Sequence, residues 1–221
     1  MSGWKADPNP RGCRLSDQRY AQMKVDLSRF ANPEYHPGRS FLVRMVWFVI
    51  GQPMLRCSIM PSSGFRRWLL RLFGAQIGAG AVIKPGVRVK YPWHLKTGDY
   101  CWLGEDCWID NLVDVTLGDN VCISQGVYLC TGNHDWADPT FRLVTRTISI
   151  QDGAWIAARA SVGPGVIVGQ FAVVGFGAVV TGNVPSHEVH GGNPAVFVCR
   201  RHGKPESAPL PMPVKAAQAG G

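Results

Sequence analysis

The residues best equipped for acid–base chemistry stand together in one string, TGNHDWADPTF, from Thr131 to Phe141. It holds a histidine, two aspartates, an asparagine and a tryptophan within a chain that is otherwise dominated by aliphatic residues and glycine. An imidazole changes charge near neutrality, so a His134-Asp135 pair on a loop is a candidate for moving a proton to or from a bound reactant. Any such loop needs a rigid scaffold behind it, and projecting loops on rigid scaffolds commonly carry function.

The scaffold is written in a period of six. Ile77, Ile83, Val89 and Leu95 stand six apart, and after a slip of two the pattern resumes at Leu103 and Ile109. A second slip of two leads to Leu117, Ile123 and Leu129; after a gap the register resumes at Ile150 and runs unbroken through Ile156, Val162, Val168, Val174 and Val180. Six matches neither a helical period of 3.6 nor strand alternation; it is the hexapeptide signature of a parallel β-helix. Each block supplies one short strand and a corner, and three blocks make a triangular coil that stacks on the next. An ordinary sandwich would need hairpin turns of varied length instead of a fixed six. The interval from Leu129 to Ile150 is 21 residues, not a multiple of six, so the chain leaves the prism there and returns. The 131–149 segment is therefore an excursion loop, and it carries His134.

The sequence divides into a basic extension over 1–76, the β-helix over 77–200 and an aperiodic tail over 201–221, rich in Pro, Ala and Gly. All of the net charge of +8 lies in the first part, where 12 Lys/Arg face 4 Asp/Glu. Within it, Phe65, Trp68, Leu69, Leu72 and Phe73 fall at helical spacing with Arg66, Arg67 and Arg71 opposite, Ser62 or Ser63 as cap and Gly74 as stop. Phe41 to Ile50 is a second helical candidate. The amphipathic helix is expected to cover an open end or flank of the prism, and contact of its arginines with a membrane surface is the alternative. Seven cysteines without a CxxC pair suggest neither a disulfide framework nor a zinc site. The opening residues lack a signal pattern, and the apolar stretch Phe41 to Met60 is broken by Arg44, Gln52, Pro53 and Arg56, so no spanning helix is expected. The expected location is cytoplasmic, with the inner membrane face as a possible site of peripheral contact. No nucleic-acid-binding module accompanies the basic residues.

The strings NHDWADPTF, DGAWIAARASVGPGV, VVGFGAVVTGNVP and GGNPA, with LLRLFGAQIG, YPWHL and WLGEDCWIDN ahead of them, resemble the hexapeptide-repeat O-acetyltransferases of the galactoside and maltose group. The resemblance runs from about Phe65 to Arg201, and colanic-acid-biosynthesis acetyltransferases share its most specific pieces. It implies a left-handed coil, where periodicity alone is silent on hand and crossovers between parallel strands are usually right-handed. It also implies an acetyl-CoA donor, a sugar or lipid-linked sugar acceptor, no metal, and a homotrimer with active sites between prisms. His134 takes the family's place of general base, with Asp135 or a backbone carbonyl fixing its tautomer. Ala158, Phe176, Gly177 and Thr181 match acetyl-CoA contacts. The chain departs from the family at Gly182, Val196 and Cys199, where basic residues are common. Arg200 and Arg201 can replace those phosphate contacts or simply end the last strand. Asp110, Asn111 and Trp136 are candidates for the acceptor, although Asp110 and Asn111 can equally cap their own corners. Two rivals remain on the same scaffold: a γ-class carbonic anhydrase, needing three histidines on zinc, and a non-catalytic scaffold.

Overall fold

The computed structural model describes residues 25–59 and 62–201. The expected tail beyond Arg201, Cys13 and His202 lie outside the described residues. From Gln76 onward the chain winds through two- and three-residue strands that build three parallel faces of a prism. Two faces carry five strands each. The third carries seven, the last of them, Val196–Arg200, turning back antiparallel on Glu188–Gly191. The repeat positions Ile83, Ile109, Leu117, Ile123, Leu129, Ile156 and Val168 are all at most 1% exposed and form one column down the prism axis. Small residues at the corners, Ala154, Ala160, Ala172 and Ala178, are fully buried as the period implies.

Register shows where the period slips. Partners on one face lie 20 residues apart in the first two coils (Ile77, Thr97, Leu117), 33 in the third (Leu117 to Ile150) and 18 in the fourth (Ile150 to Val168). Thr97, not Leu95, is the partner of Ile77. The first slip therefore precedes Leu95, one block earlier than the aliphatic period alone indicates. A short 3-10 turn at Pro92–His94 absorbs it. The second slip, around Leu112–Asp114, and the long excursion after Cys130 open from the same corner of the next two coils. Three successive enlargements thus stack on one edge of the prism.

Helices close the other end. Trp47–Gly51 forms a π-helical stretch between short helices at Phe41–Val46 and Gln52–Arg56. Pro53, which has no N–H and crowds the preceding turn, accounts for the local loosening. Ser63–Leu72 forms the expected amphipathic helix, with Ser62 Oγ accepting the Gly64 N–H and Gly74 at φ +95° ending it. Its arginines are not free for solvent as expected, although Arg71 stays exposed. Arg66 is buried and donates to the carbonyls of Leu55 and Cys57; Arg67 donates to Ala81, and Arg71 to Ile77 and Gly78. The first coil has no strand below it, so its carbonyls need donors, and guanidinium groups supply them. Trp68 and Leu72 are displaced outward in consequence.

Candidate active site

The enlarged corner is held by side chains that act as backbone partners. Asn111 is fully buried; its Oδ1 accepts the Tyr91 N–H at 3.0 Å and its Nδ2 donates to the Tyr91 carbonyl at 2.7 Å. Thr131 Oγ1 accepts the Leu112 N–H at 2.8 Å and donates to the Asp110 carbonyl at 3.0 Å. Asp110 is ion-paired to Lys90 at 3.0 Å and receives the Tyr128 hydroxyl at 3.1 Å. Of the three sequence candidates for the acceptor, Asn111 is thus consumed in holding its corner. Asp110 is committed to Lys90 and Tyr128.

At the same corner, Asp114 accepts from Lys96 Nζ at 2.7 Å and from His94 Nδ1 at 2.8 Å. The Lys96 hydrogen bond, then that from His94, holds the Asp114 carboxyl below its ordinary range. A carboxyl lowered by folding contributes stability above its unfolded pKa of about 3.9, and that stability is lost as pH falls through the folded value. Between pH 5 and pH 3 the unfolding midpoint of the wild type should therefore fall more steeply than that of Asp114→Asn. Parallel acid limbs would show the cluster to be energetically idle.

From Thr131 the chain departs as a hairpin, Gly132–His134 paired antiparallel with Leu143–Thr145. Its tip is closed by the aspartates. Asp135 Oδ1 accepts the Ala137 N–H at 3.1 Å, and Asp138 Oδ1 accepts the Thr140 N–H and hydroxyl, both at 2.8 Å. The Asp135 carboxylate also lies 3.7 Å from Arg142. It is not the partner of the imidazole. His134 Nδ1 lies 2.8 Å from the Phe141 carbonyl, and the Phe141 ring stacks on the imidazole at 4.3 Å and 9°. Phe141 adopts φ +52° to do this, a left-handed conformation that costs a non-glycine residue roughly 1–2 kcal/mol. A carbonyl only accepts, so Nδ1 carries the hydrogen and the neutral ring presents Nε2 with a free lone pair.

The 25–36 segment lies across this hairpin, which the sequence did not foretell. Asp26 N–H donates to Pro139 at 2.8 Å, Asn32 Oδ1 accepts the Leu143 N–H at 3.0 Å, and Tyr35 donates to the Leu112 carbonyl at 3.1 Å. Phe30 sits 5.8 Å from the His134 ring, tilted at 51° to it. The cavity of about 520 Å³ between segment and hairpin is lined by Asn32, Glu34, His36, Arg142 and Thr145, and does not include His134. Trp136 is exposed at the hairpin tip.

The acetyl-CoA candidates are distributed over different corners. Ala158 and Gly177 stack directly, the Gly177 N–H donating to the Ala158 carbonyl at 3.0 Å, and Phe176 beside them is 72% exposed. Gly177 has φ +65° and open space where a Cβ would be. Thr181 follows the strand Val179–Val180, on the edge that carries the excursion in an earlier coil. Arg201 is engaged elsewhere: Nη1 donates to the carbonyls of Gly153 and Phe171, both at 3.1 Å. That geometry favours the strand-ending role for Arg201. Arg200 lies exposed at the end of the Val196–Arg200 strand.

The histidines the zinc reading requires are separately employed, His94 with Asp114, His134 with Phe141 and His190 with Glu188 at 2.8 Å. Among the described residues no group of three potential ligands is positioned for a metal ion.

No family model matches the chain. It is, however, 39% identical over 176 residues to the acetyltransferase WcaF of Escherichia coli K12, named for colanic acid biosynthesis, covering 80% of this chain and 97% of that one. The chain belongs to that family of acetyltransferases. Its fold is that of a hexapeptide-repeat acetyltransferase from Vibrio cholerae complexed with acetyl coenzyme A (TM-score 0.67, 20% identity, 84% of this chain and 99% of that one). It likewise matches galactoside acetyltransferase in complex with coenzyme A (TM-score 0.66, 24% identity, 73% and 82%). This WcaF-family acetyltransferase accordingly has the left-handed parallel β-helix that the resemblance implied, extended by helices at one end and a hairpin at one corner.

Proposed function

We propose that the chain is an acetyl-CoA-dependent O-acetyltransferase that acetylates a hydroxyl of a sugar, free or lipid-linked, during exopolysaccharide assembly, with His134 as general base. The observation that carries this reading is the Nδ1 contact of His134 with the Phe141 carbonyl, which leaves Nε2 as a proton acceptor on a projecting loop. An alcohol is a weak nucleophile toward a thioester until a base removes its proton during attack. In the proposed step the acceptor oxygen bonds to the thioester carbonyl carbon as Nε2 takes the hydroxyl proton. Collapse of the tetrahedral oxyanion breaks the C–S bond, and the imidazolium returns its proton to the departing CoA sulfur. Backbone N–H groups at a corner or loop are the natural donors for that oxyanion. The relatives support the donor, since the two matched structures hold acetyl coenzyme A and coenzyme A.

A homotrimer belongs to this reading. His134 projects from the prism and needs a facing surface, and one prism face presents an outward row of Trp102, Cys122 and Trp155 suited to packing against another chain. Ala158, Gly177 and Thr181 on different corners then contribute to clefts between chains. The acetyl-CoA supply places the reaction in the cytoplasm. Purified protein incubated with acetyl-CoA and a panel of nucleotide sugars and lipid-linked sugars should release CoA and yield a product heavier by one acetyl group. Acyl transfer to an amine in preference to every hydroxyl offered would overturn the O-acetyl assignment.

A further inference from the structure

The helical end of the prism carries a surface that the reaction does not use. Between Phe41 and Gly51 only Trp47 and Gly51 are buried. Trp47 is the anchor: its ring lies in the core and its Nε1 donates to the Val89 carbonyl at 3.0 Å. Gly51 makes room for it, because a Cβ there would stand 2.3 Å from the Trp47 ring. Apart from the half-buried Arg44, the rest of the circumference is apolar and open, with Phe41 69%, Leu42 71%, Val49 63% and Ile50 53% exposed. A helix with so little polar surface is ordinarily buried in protein or in lipid. Met45, Val46 and Phe48 are exposed on the same ridge, and the patch greatly exceeds the scattered apolar residues usual on a soluble surface.

Charge indicates what covers the ridge. From Tyr35 through Gly98 the chain has no Asp or Glu and ten Lys or Arg. Arg39 precedes the ridge and Arg56 follows it, and both are exposed. A second copy packed on the same surface would set cation against cation. An anionic bilayer offers phosphates for the guanidinium groups and an acyl boundary for the side chains between them. Among the described residues no helix is long and apolar enough to cross a membrane, so the ridge suits the plane of the interface.

We propose that the Phe41–Ile50 ridge docks this protein onto an anionic membrane surface, with Arg39 and Arg56 at the headgroups. Contact through Arg66, Arg67 and Arg71, the alternative drawn from sequence, is the weaker route, because Arg66 is buried and all three side chains already donate to carbonyls of the first coil or of the neighbouring helix. The ridge lies beside Val89 in the first coil, so docking leaves the later coils and the hairpin projecting from the membrane. A lipid-linked acceptor would be presented there, which extends the proposed reaction without being required by it.

The test is flotation of the full chain with vesicles of phosphatidylglycerol and phosphatidylethanolamine, compared with phosphatidylcholine vesicles. Wild type should float with the anionic vesicles and remain mostly below with phosphatidylcholine. The Leu42→Glu/Val49→Glu variant should lose at least about tenfold in partitioning while keeping its thermal midpoint, because both side chains already face outward. Arg39→Gln/Arg56→Gln should weaken binding to the anionic vesicles alone. Wild type that fails to float, or an apolar-to-Glu variant that floats equally well, overturns the proposal. So does light scattering in which wild type self-associates through the ridge, the Glu variant reverts and neither binds lipid. The vesicles contain neither acceptor nor acetyl-CoA, so a chain inactive in acetyl transfer still floats if docking is right. An active chain that stays below removes the docking alone.

Discussion

Replacing His134 by alanine should lower kcat for acetyl transfer by about 10²–10⁴-fold, equivalent to roughly 3–5 kcal/mol of transition-state stabilisation. The imidazole acts on the acceptor's proton, while the positions matched to the donor, Ala158, Phe176, Gly177 and Thr181, lie on coils that do not include the hairpin. Acetyl-CoA affinity should therefore change little. The hairpin keeps its own frame without the ring, through the pairing of Asn133 with Val144 and the turn bonds of Asp135 and Asp138. The variant should lose the Phe141 stacking and hydrogen bond yet retain the β-helix, whose column is remote from the loop. Equilibrium binding of acetyl-CoA alongside steady-state kinetics checks both halves. A variant whose acetyl-CoA affinity falls as far as its kcat would place His134 in donor binding instead.

A large effect on stability should come from Gly104→Ala. At this corner the missing side chain is required by the coil stacked beside it. A Cβ would meet Gln125 N at 2.6 Å, the Ser124 carbonyl carbon at 2.7 Å and the Ile123 carbonyl oxygen at 3.0 Å. All three are backbone atoms in a coil fixed by parallel pairing, so a rotamer change cannot relieve the clash. The φ of Gly104 lies outside the left-handed region, so close approach alone explains the glycine. Overpacking of this kind costs about 1–3 kcal/mol, and a rigid neighbour puts Gly104 at the upper end. For a chain of this size the thermal midpoint should fall by roughly 6–12 °C. Gly182→Ala is the control, since nothing lies within 4 Å of its Cβ position. It should stay within about 0.5 kcal/mol of wild type. Equal midpoints for the two variants would show that the coils separate more readily than their stacking implies.

The architecture was legible because each coil repeats one physical requirement, an aliphatic residue inward and a corner with little bulk. Leu129 and Ile150 stand out of step for that reason, which located the hairpin and His134. Leu95 misled because the enlarged coils bury two positions on one face: Val115 and Leu117 are both inward, as are Ile148 and Ile150. An aliphatic residue there does not mark a unique register. The arginines of the Ser63–Leu72 helix misled for another reason. Helical spacing separates apolar from cationic faces, but the exposed carbonyls of a first coil form no sequence pattern, and here they draw the cationic face inward.

Phe30, Asn32 and Phe141 had no signal at all in the candidate site. Asn32 meets the Leu143 N–H across 111 residues, in a segment with no periodicity to tie it to the hairpin. Phe141 sits at the end of the quoted string, yet its part is played by a carbonyl, which every residue has. Asp135, adjacent to His134 and chemically suited to orient it, is instead used to turn the chain. Sequence left the carboxylate and a backbone carbonyl equally open, and the hairpin's hydrogen bonding decided for the carbonyl.

The proton-acceptor role of Nε2 is separable from the structural role of Nδ1 by His134→Asn, whose amide can still donate to the Phe141 carbonyl but offers no base of imidazole strength. Acetyl transfer in a single turnover, with donor and acceptor both saturating and the acetylated sugar followed after rapid quenching, isolates that difference. The account predicts a rate constant about 10²–10⁴-fold below wild type, close to that of His134→Ala. An asparagine variant that retains more than about a tenth of the wild-type rate constant would contradict it, because holding the loop, and not taking the proton, would then be what His134 contributes.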